Sequence, residues 1–478
     1  MNALLHYFIK QLEQTEKNIF LDIDEDKWRA GYHLMPPIGW LNDPNGLCMY
    51  QGEYHVFFQY SPFDVEGGLK FWGHYKSKDM IHWEYVGVPL FSDQPFDIHG
   101  VYSGSALIEN GKMYLYYTGN VKLDGDFDYI NTGREPYTIL VESDDGIHFG
   151  TKKCILTPKD YPEGLTLHIR DPKVWKENDI YYMVLGVRTK QDKGEALLYI
   201  SYDKVNWKLK NILTTEQNFG YMWECPDLFE LEGQKILSVS PQGLQQQQRN
   251  YQNIYQSGYF LLKGDMTNQY TLENFTEWDK GFDFYAPQTF LDDKGRRILI
   301  AWAGMPDEKG YDNPTVKNGW QHMLTMPREL NYRNGKIYQM PVEEIKQLRT
   351  QQIVVENNMK VVPSFELEYD NKSGQSFDIE IDNDVVIAFH KQQKYFEISF
   401  KGALGSGRKS RSVTLEQCQN IKIFADKSIL EIYLNDGEEV FTTRFYPQND
   451  KVMLYYHCDT KYCKMWYMSR YTIGRNVV

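Results

Sequence analysis

Three of the 65 acidic residues stand in company that solvated carboxylates seldom keep. Asp43 lies in GWLNDPNG, behind Trp40 and Leu41 and ahead of Pro44-Asn45-Gly46, a turn-forming run. Asp171 lies in HIRDP, between Arg170 and Pro172, and Glu224 lies in YMWECPD, between Trp223 and Cys225 with Pro226 next. Each reads as a strand end stopped by proline, where a turn holds the carboxylate in place. Ordinary turn chemistry would account for either Asp-Pro pair alone. A glutamate inside an aromatic run is harder to explain, because burying it is costly unless it is used or paired. The reaction that wants such groups is glycoside cleavage. One ionised carboxylate attacks the anomeric carbon while a protonated one assists the leaving oxygen. Crowding the acid against apolar rings and a second carboxylate would lift its pKa, as the chemistry requires. Arg170 is expected to keep Asp171 ionised.

Such residues need a scaffold that brings distant strand ends together. A weak self-similarity supplies one: QGEYHVFFQY (51–60), NGKMYLYYTG (110–119), NDIYYMVLG (178–186), EGQKILSVSPQG (232–243) and KGRRILIAWAG (294–304) each feed a polar turn into an apolar strand. A second element keeps step, as SKDMIHW (77–83), SDDGIHF (143–149) and SYDKVNW (201–207), all S-x-D-x-x-x-aromatic. A period near 60 residues built from antiparallel strands suits a propeller blade, and five units predict five blades. A β-sandwich with coincidental turn chemistry is the competing reading. In a propeller the three carboxylates sit on different blades, whose inner strands converge on one axis.

The rest of the chain frames this body. Residues 1–27 begin with Leu4, Leu5, Phe8, Ile9 and Leu12 at helical spacing, which predicts a short amphipathic helix packed on the protein. The propeller is expected over 28–340, a linker over 341–360 (PVEEIKQLRTQQ), and a β-sandwich over 361–478. In the sandwich, DKSILEIYLNDGEEV reads as a hairpin closed by Asn435-Asp436-Gly437. A net charge of −13 argues against nucleic acid or an anionic membrane as partner, and no apolar run is long enough to span a bilayer. The N-terminus lacks a signal-peptide pattern, so a cytoplasmic location is expected. Six scattered cysteines, of which only Cys458 and Cys463 are close in sequence, are expected to be reduced thiols with no zinc site. The sequence sets no oligomeric state.

At these motifs the chain resembles glycoside hydrolase family 32, the invertase and fructanase family. WLNDPNG (40–46), FQY (58–60), FWGHYKSKDMIHW (71–83), YSGSA (102–106), RDP (170–172), WECPD (223–227) and MLTMPREL (323–330) match its signature blocks. The likeness covers roughly residues 28–345 and continues through DKSILEIYLNDG. It implies an all-β fold, a five-bladed β-propeller followed by a C-terminal β-sandwich. It also implies Asp43 as nucleophile, Glu224 as acid/base and Asp171 as transition-state stabiliser, acting on a small-molecule sugar. Asn42, Gln59, Ser103 and Arg170 stand where the family holds fructose, and Trp40, Trp72 and Tyr102 are expected walls of that pocket. No metal or cofactor is implied. One departure is Gly67, in VEGGLKFWGH, at about the place where many members carry a tryptophan. That loop and PQGL (241–244) with YQNIYQSGY resemble the bacterial branch acting on sucrose phosphorylated on its glucose, with Lys70 and Arg249 as candidate phosphate ligands. A plain invertase, a fructan hydrolase and a non-catalytic sugar-binding propeller are the alternatives.

Overall fold

The five repeated runs become strands in the computed structural model, which describes residues 3–19 and 26–475. They are Glu53–Ser61, Lys112–Lys122, Ile180–Thr189, Gln234–Gln242 and Arg297–Trp302, and each is the second strand of its own antiparallel blade. Their aromatic and branched residues are buried on both faces, because neighbouring blades cover them. The first strands, Gly39–Tyr50, Val101–Glu109, Leu165–Glu177, Met222–Leu231 and Tyr285–Leu291, touch one another in order. The fifth touches the first, so the ring closes as a five-bladed propeller.

Two short strands seal blade 1. Trp320–Gln321 pairs in parallel with Gly39–Trp40, and Thr472–Arg475, from the far end of the chain, pairs in parallel with His82–Tyr85. The N-terminal helix α1 (Ala3–Ile19) lies on the same blade. Phe8 packs on Phe63, Phe71 and Phe91, Leu12 is buried, and Glu16 accepts from the Tyr60 and Tyr85 hydroxyls at 2.8 and 2.9 Å. The side chains of Leu4 and Leu5 lie outside the described residues.

Behind the propeller stands a β-sandwich of two six-stranded sheets. Its hairpin joins Ile429–Leu434 to Glu439–Arg444, with Asn435 and Asp436 at φ 50° and 57°, the left-handed angles that an Asn-Asp turn tolerates. The stretch 341–360, expected to be a linker, instead carries a 3₁₀ turn, Glu343–Leu348, and two sandwich strands, Arg349–Ile353 and Asn358–Val361. Both are edge strands with at most one buried residue, so they lack the apolar run by which a strand is recognised. Among the described residues no helix is long and apolar enough to cross a membrane.

Candidate active site

All five inner strands break register at the same depth. Bulges fall between Leu41 and Pro44, Val101 and Gly104, Glu224 and Asp227, and Tyr285 and Gln288. On the third blade the shift lies opposite Arg170–Lys173. A bulge leaves residues unpaired and re-aims their side chains, and it tolerates a proline because no ladder donor is needed there. Asp43, Ser103, Asp171, Cys225 and Ala286 each precede the Pro or Gly of such a bulge. The three prolines read as strand stops therefore lie inside continuous strands. Tertiary pairing of the inner strand with its neighbour overrides the local signal.

The bulges aim their side chains into one pocket of about 490 Å³ on the propeller axis, lined by Asp43, Asp171 and Glu224. Asp43 is held by a ring of hydrogen bonds. Its Oδ1 accepts from Asn42 Nδ2 at 3.1 Å, and its Oδ2 accepts a short bond from Ser103 Oγ. Asn42 also donates to Gln59 Oε1 at 3.0 Å, Gln59 donates to Ser103 Oγ at 2.9 Å, and Trp40 Nε1 donates to Asn42 Oδ1 at 2.8 Å. Burial raises the Asp43 pKa and Glu224 adds to the rise, against those hydrogen bonds and the attraction of Lys70.

Asp171 and Asp43 meet at Cys225. The thiol lies 3.6 Å from an oxygen of each, and the Cys225 backbone N–H donates to Asp171 Oδ2 at 2.9 Å. Burial and the surrounding carboxylates raise the thiol pKa well above its ordinary value, so it stays protonated and can donate. Burial pushes Asp171 up to about 7; Arg170 opposes the rise, while Glu224 and Asp43 add to it. Arg170 does not hydrogen-bond to its neighbour in sequence. Its Nε and Nη2 donate to Glu224 Oε1 at 3.0 and 2.9 Å, and its Nη2 meets His168 Nδ1 at 3.2 Å. The other oxygen of Glu224 accepts from Gln242 Nε2 at 2.7 Å and from the Tyr285 hydroxyl at 2.6 Å.

Trp40, Asn42, Gln59, Tyr102, Ser103, Arg170 and Lys70 also line the pocket. Two expected residues do not. Trp72 is fully buried between blades 1 and 2 and donates its indole N–H to the Tyr102 carbonyl at 3.1 Å, so it braces the wall from behind. Arg249 lies 4.5 Å over the Tyr395 ring of the sandwich, outside the pocket lining. Gly67 has φ +98°, and an added Cβ would stand 3.2 Å from the Trp40 ring and 3.0 Å from Lys70 Nζ, so Trp40 fills the space a larger residue would take. The sequence reading missed Arg134, His168, Arg188, Tyr221, Gln242, Tyr255, Tyr285 and Trp302. Gln242 and Tyr255 fall within the distinctive PQGL and YQNIYQ runs, His168 opens HIRDP, Tyr221 opens YMWECPD and Trp302 lies in the fifth repeat unit; Arg134, Arg188 and Tyr285 carry no local signal.

A five-bladed propeller whose axial pocket is lined by three neighbouring carboxylates has the architecture of a glycoside hydrolase. Residues 33–341 match the N-terminal domain of the glycosyl hydrolases of family 32 and residues 341–462 match that family's C-terminal domain. The chain belongs to this family. It is 40% identical over 442 residues to a sucrose-6-phosphate hydrolase of Bacillus subtilis (strain 168), covering 89% of this chain and 90% of that protein. The sucrose-6-phosphate hydrolase structure from Lactobacillus gasseri superposes with a TM-score of 0.87 at 32% identity, covering 96% of each chain. A family 32 β-fructofuranosidase of Bombyx mori superposes with a TM-score of 0.85 at 29% identity, over 98% of this chain and 99% of that one.

Proposed function

We propose that this protein is a retaining β-fructofuranosidase that hydrolyses sucrose 6-phosphate to fructose and glucose 6-phosphate. The observation that supports the reading is that the pocket carboxylates are held by different sets of partners. Asp43 is fixed at the floor by Ser103 and Asn42, and Glu224 is fixed on the wall by Arg170, Gln242 and Tyr285. In the first step an Asp43 oxygen bonds to the anomeric carbon of fructose as the glycosidic C–O bond breaks. Glu224 gives its proton to the departing oxygen. In the second, Glu224 takes a proton from water, whose oxygen displaces Asp43 and regenerates the free enzyme. Asp171 accepts fructose hydroxyl hydrogen bonds that tighten as positive charge develops on the ring.

Tyr285 suits the proton cycle. Its hydroxyl lies 2.6 Å from Glu224 Oε2 and 3.4 Å from the Ser240 carbonyl. It can donate to ionised Glu224, or turn its hydrogen to Ser240 and accept from the protonated acid. A cytoplasmic location goes with this substrate, and six free cysteines support it.

The test compares turnover of sucrose 6-phosphate, sucrose and inulin by the wild type and by Asp43→Asn. We expect the phosphorylated sugar to have the highest kcat/KM, and Asp43→Asn to lose at least about 10⁴-fold in kcat while staying folded. Preference for inulin or unmodified sucrose would reassign the substrate; a normally active Asp43→Asn would end the nucleophile assignment.

A further inference from the structure

The wall of the pocket around Glu224 holds more positive charge than its own carboxylates neutralise. Arg134, His168, Arg170 and Arg188 all line it. Arg170 is engaged by Glu224. Arg188 uses Nε and Nη2 on the exposed carboxylate of Asp192, at 2.8 and 2.7 Å, and lies 4.5 Å over the Tyr221 ring. Arg134 has no such answer. Among the described residues it makes no ion pair and no side-chain hydrogen bond, and its Nε is buried without a partner. It opens the strand Arg134–Ser143 and pairs across the sheet with Lys122, so no anion is supplied from that side either.

His168 cannot compensate. It is a neutral ring, held down to about 2 by burial and then by Arg170, Arg134 and Arg188, and its Nε2 faces the Tyr129 carbonyl at 3.3 Å. Burial and then Arg170 also hold the Arg134 guanidinium below its ordinary value, while Tyr102 and Glu224 pull it back. An unpaired, half-buried guanidinium is a standing penalty unless an anion arrives. Lys70 is placed differently: its Nζ lies 4.9 Å over Trp40, and the carboxylates that act on it are Asp43 and Asp64, so it belongs to the end of the pocket where fructose would sit.

We propose that Arg134, with Arg188 beside it, binds the phosphate of the leaving glucose unit. This rests on the reading of the pocket as a fructosidase site whose leaving group departs past Glu224. A planar guanidinium fork matches two phosphate oxygens at once. The other cations of the pocket are already engaged, Arg170 by Glu224 and Arg188 by Asp192, so Arg134 is the guanidinium free to meet a phosphate.

The experiment measures kcat/KM for sucrose 6-phosphate and for sucrose in the wild type, Arg134→Gln and Arg134→Lys, together with inhibition by glucose 6-phosphate and by glucose. The ratio of the two kcat/KM values does not depend on how much of a variant is correctly folded. The preference for the phosphorylated substrate should fall about 10- to 100-fold in Arg134→Gln, carried by KM. It should return in part in Arg134→Lys, and glucose 6-phosphate should lose its advantage over glucose as an inhibitor in step. A wild type that prefers sucrose 6-phosphate and an Arg134→Gln variant with the same preference would overturn the assignment while the proposed function stands. A wild type with no such preference would overturn both.

Discussion

Asp171 and Cys225 both hold left-handed backbone angles, φ 65° and 46°, inside strands. For a cysteine that conformation costs about 1–2 kcal/mol. The return is geometric: it turns the Cys225 N–H and thiol onto Asp171 and places the thiol against Asp43. Asp171 itself is held at about 7, well above the 3.8 of an exposed aspartate, so the fold favours its neutral form. Its contribution to stability is therefore fully present below about pH 4 and is lost as pH rises through 7. Replacing it with asparagine should remove that loss. We expect Asp171→Asn to be more stable than wild type by about 1–3 kcal/mol at pH 8, with the gap closing towards pH 4, while turnover is largely abolished. Thermal melts across that range check it; a gap that does not change with pH would show that ionisation of Asp171 is not its source.

At the scale of elements, the S-x-D-x-x-x-aromatic repeat proves to be a turn between the third and fourth strands of blades 1 to 3. In each copy the aspartate carboxylate accepts from two backbone N–H groups just ahead: Asp79 from Ile81 and His82, Asp145 from Ile147 and His148, and Asp203 from Val205 and Asn206. The serine hydroxyl accepts from a residue of positive φ (Met80, Gly146 or Lys204). The whole device spans seven residues, which is why it was legible in the sequence. Asp203→Ala should destabilise the protein by about 1–2 kcal/mol without altering kcat/KM, because the turn is remote from the pocket lining. Denaturant unfolding alongside kinetics tests this, and a change in kinetics would tie the turn to the site. The inner-strand bulges were only half legible. Their prolines were visible, but whether proline ends a strand or sits in a bulge depends on a neighbouring strand that no local window contains.

For the whole molecule, two of the family-like blocks serve the join between propeller and sandwich. Arg328, in MLTMPREL, pairs with Glu431 of the sandwich hairpin at 2.7 Å and with Asp279 at 3.1 Å, all fully buried. Glu431 also accepts from the Met326 N–H at 2.7 Å and meets His33 Nε2 at 3.1 Å, while His33 Nδ1 meets Asp426 at 2.8 Å. Nearby, Arg408 of the sandwich grips Asp283 of the propeller at 2.8 and 2.7 Å. Buried charges of this kind contribute little beyond an apolar substitute, but removing one partner strands the other. Arg328→Met should therefore cost about 3–5 kcal/mol in unfolding free energy, and the double change Arg328→Met with Glu431→Leu should recover part of it. If the double variant is no better than the single one, the pair is not the source of the penalty.

The sequence by itself determined the candidate carboxylates and the turns, because each is written within a few adjacent residues, and the blade number, because the same short unit recurs five times along the chain. Only the tertiary structure decided partners across blades. Arg170 faces Glu224, 54 residues away, rather than its neighbour Asp171; Trp72 lies behind the pocket rather than in it; and Arg134 stands without an anion beside the acid wall. These follow from ring closure and strand register, which set where a bulge points and what lies opposite, and no stretch of sequence contains both sides of such a contact.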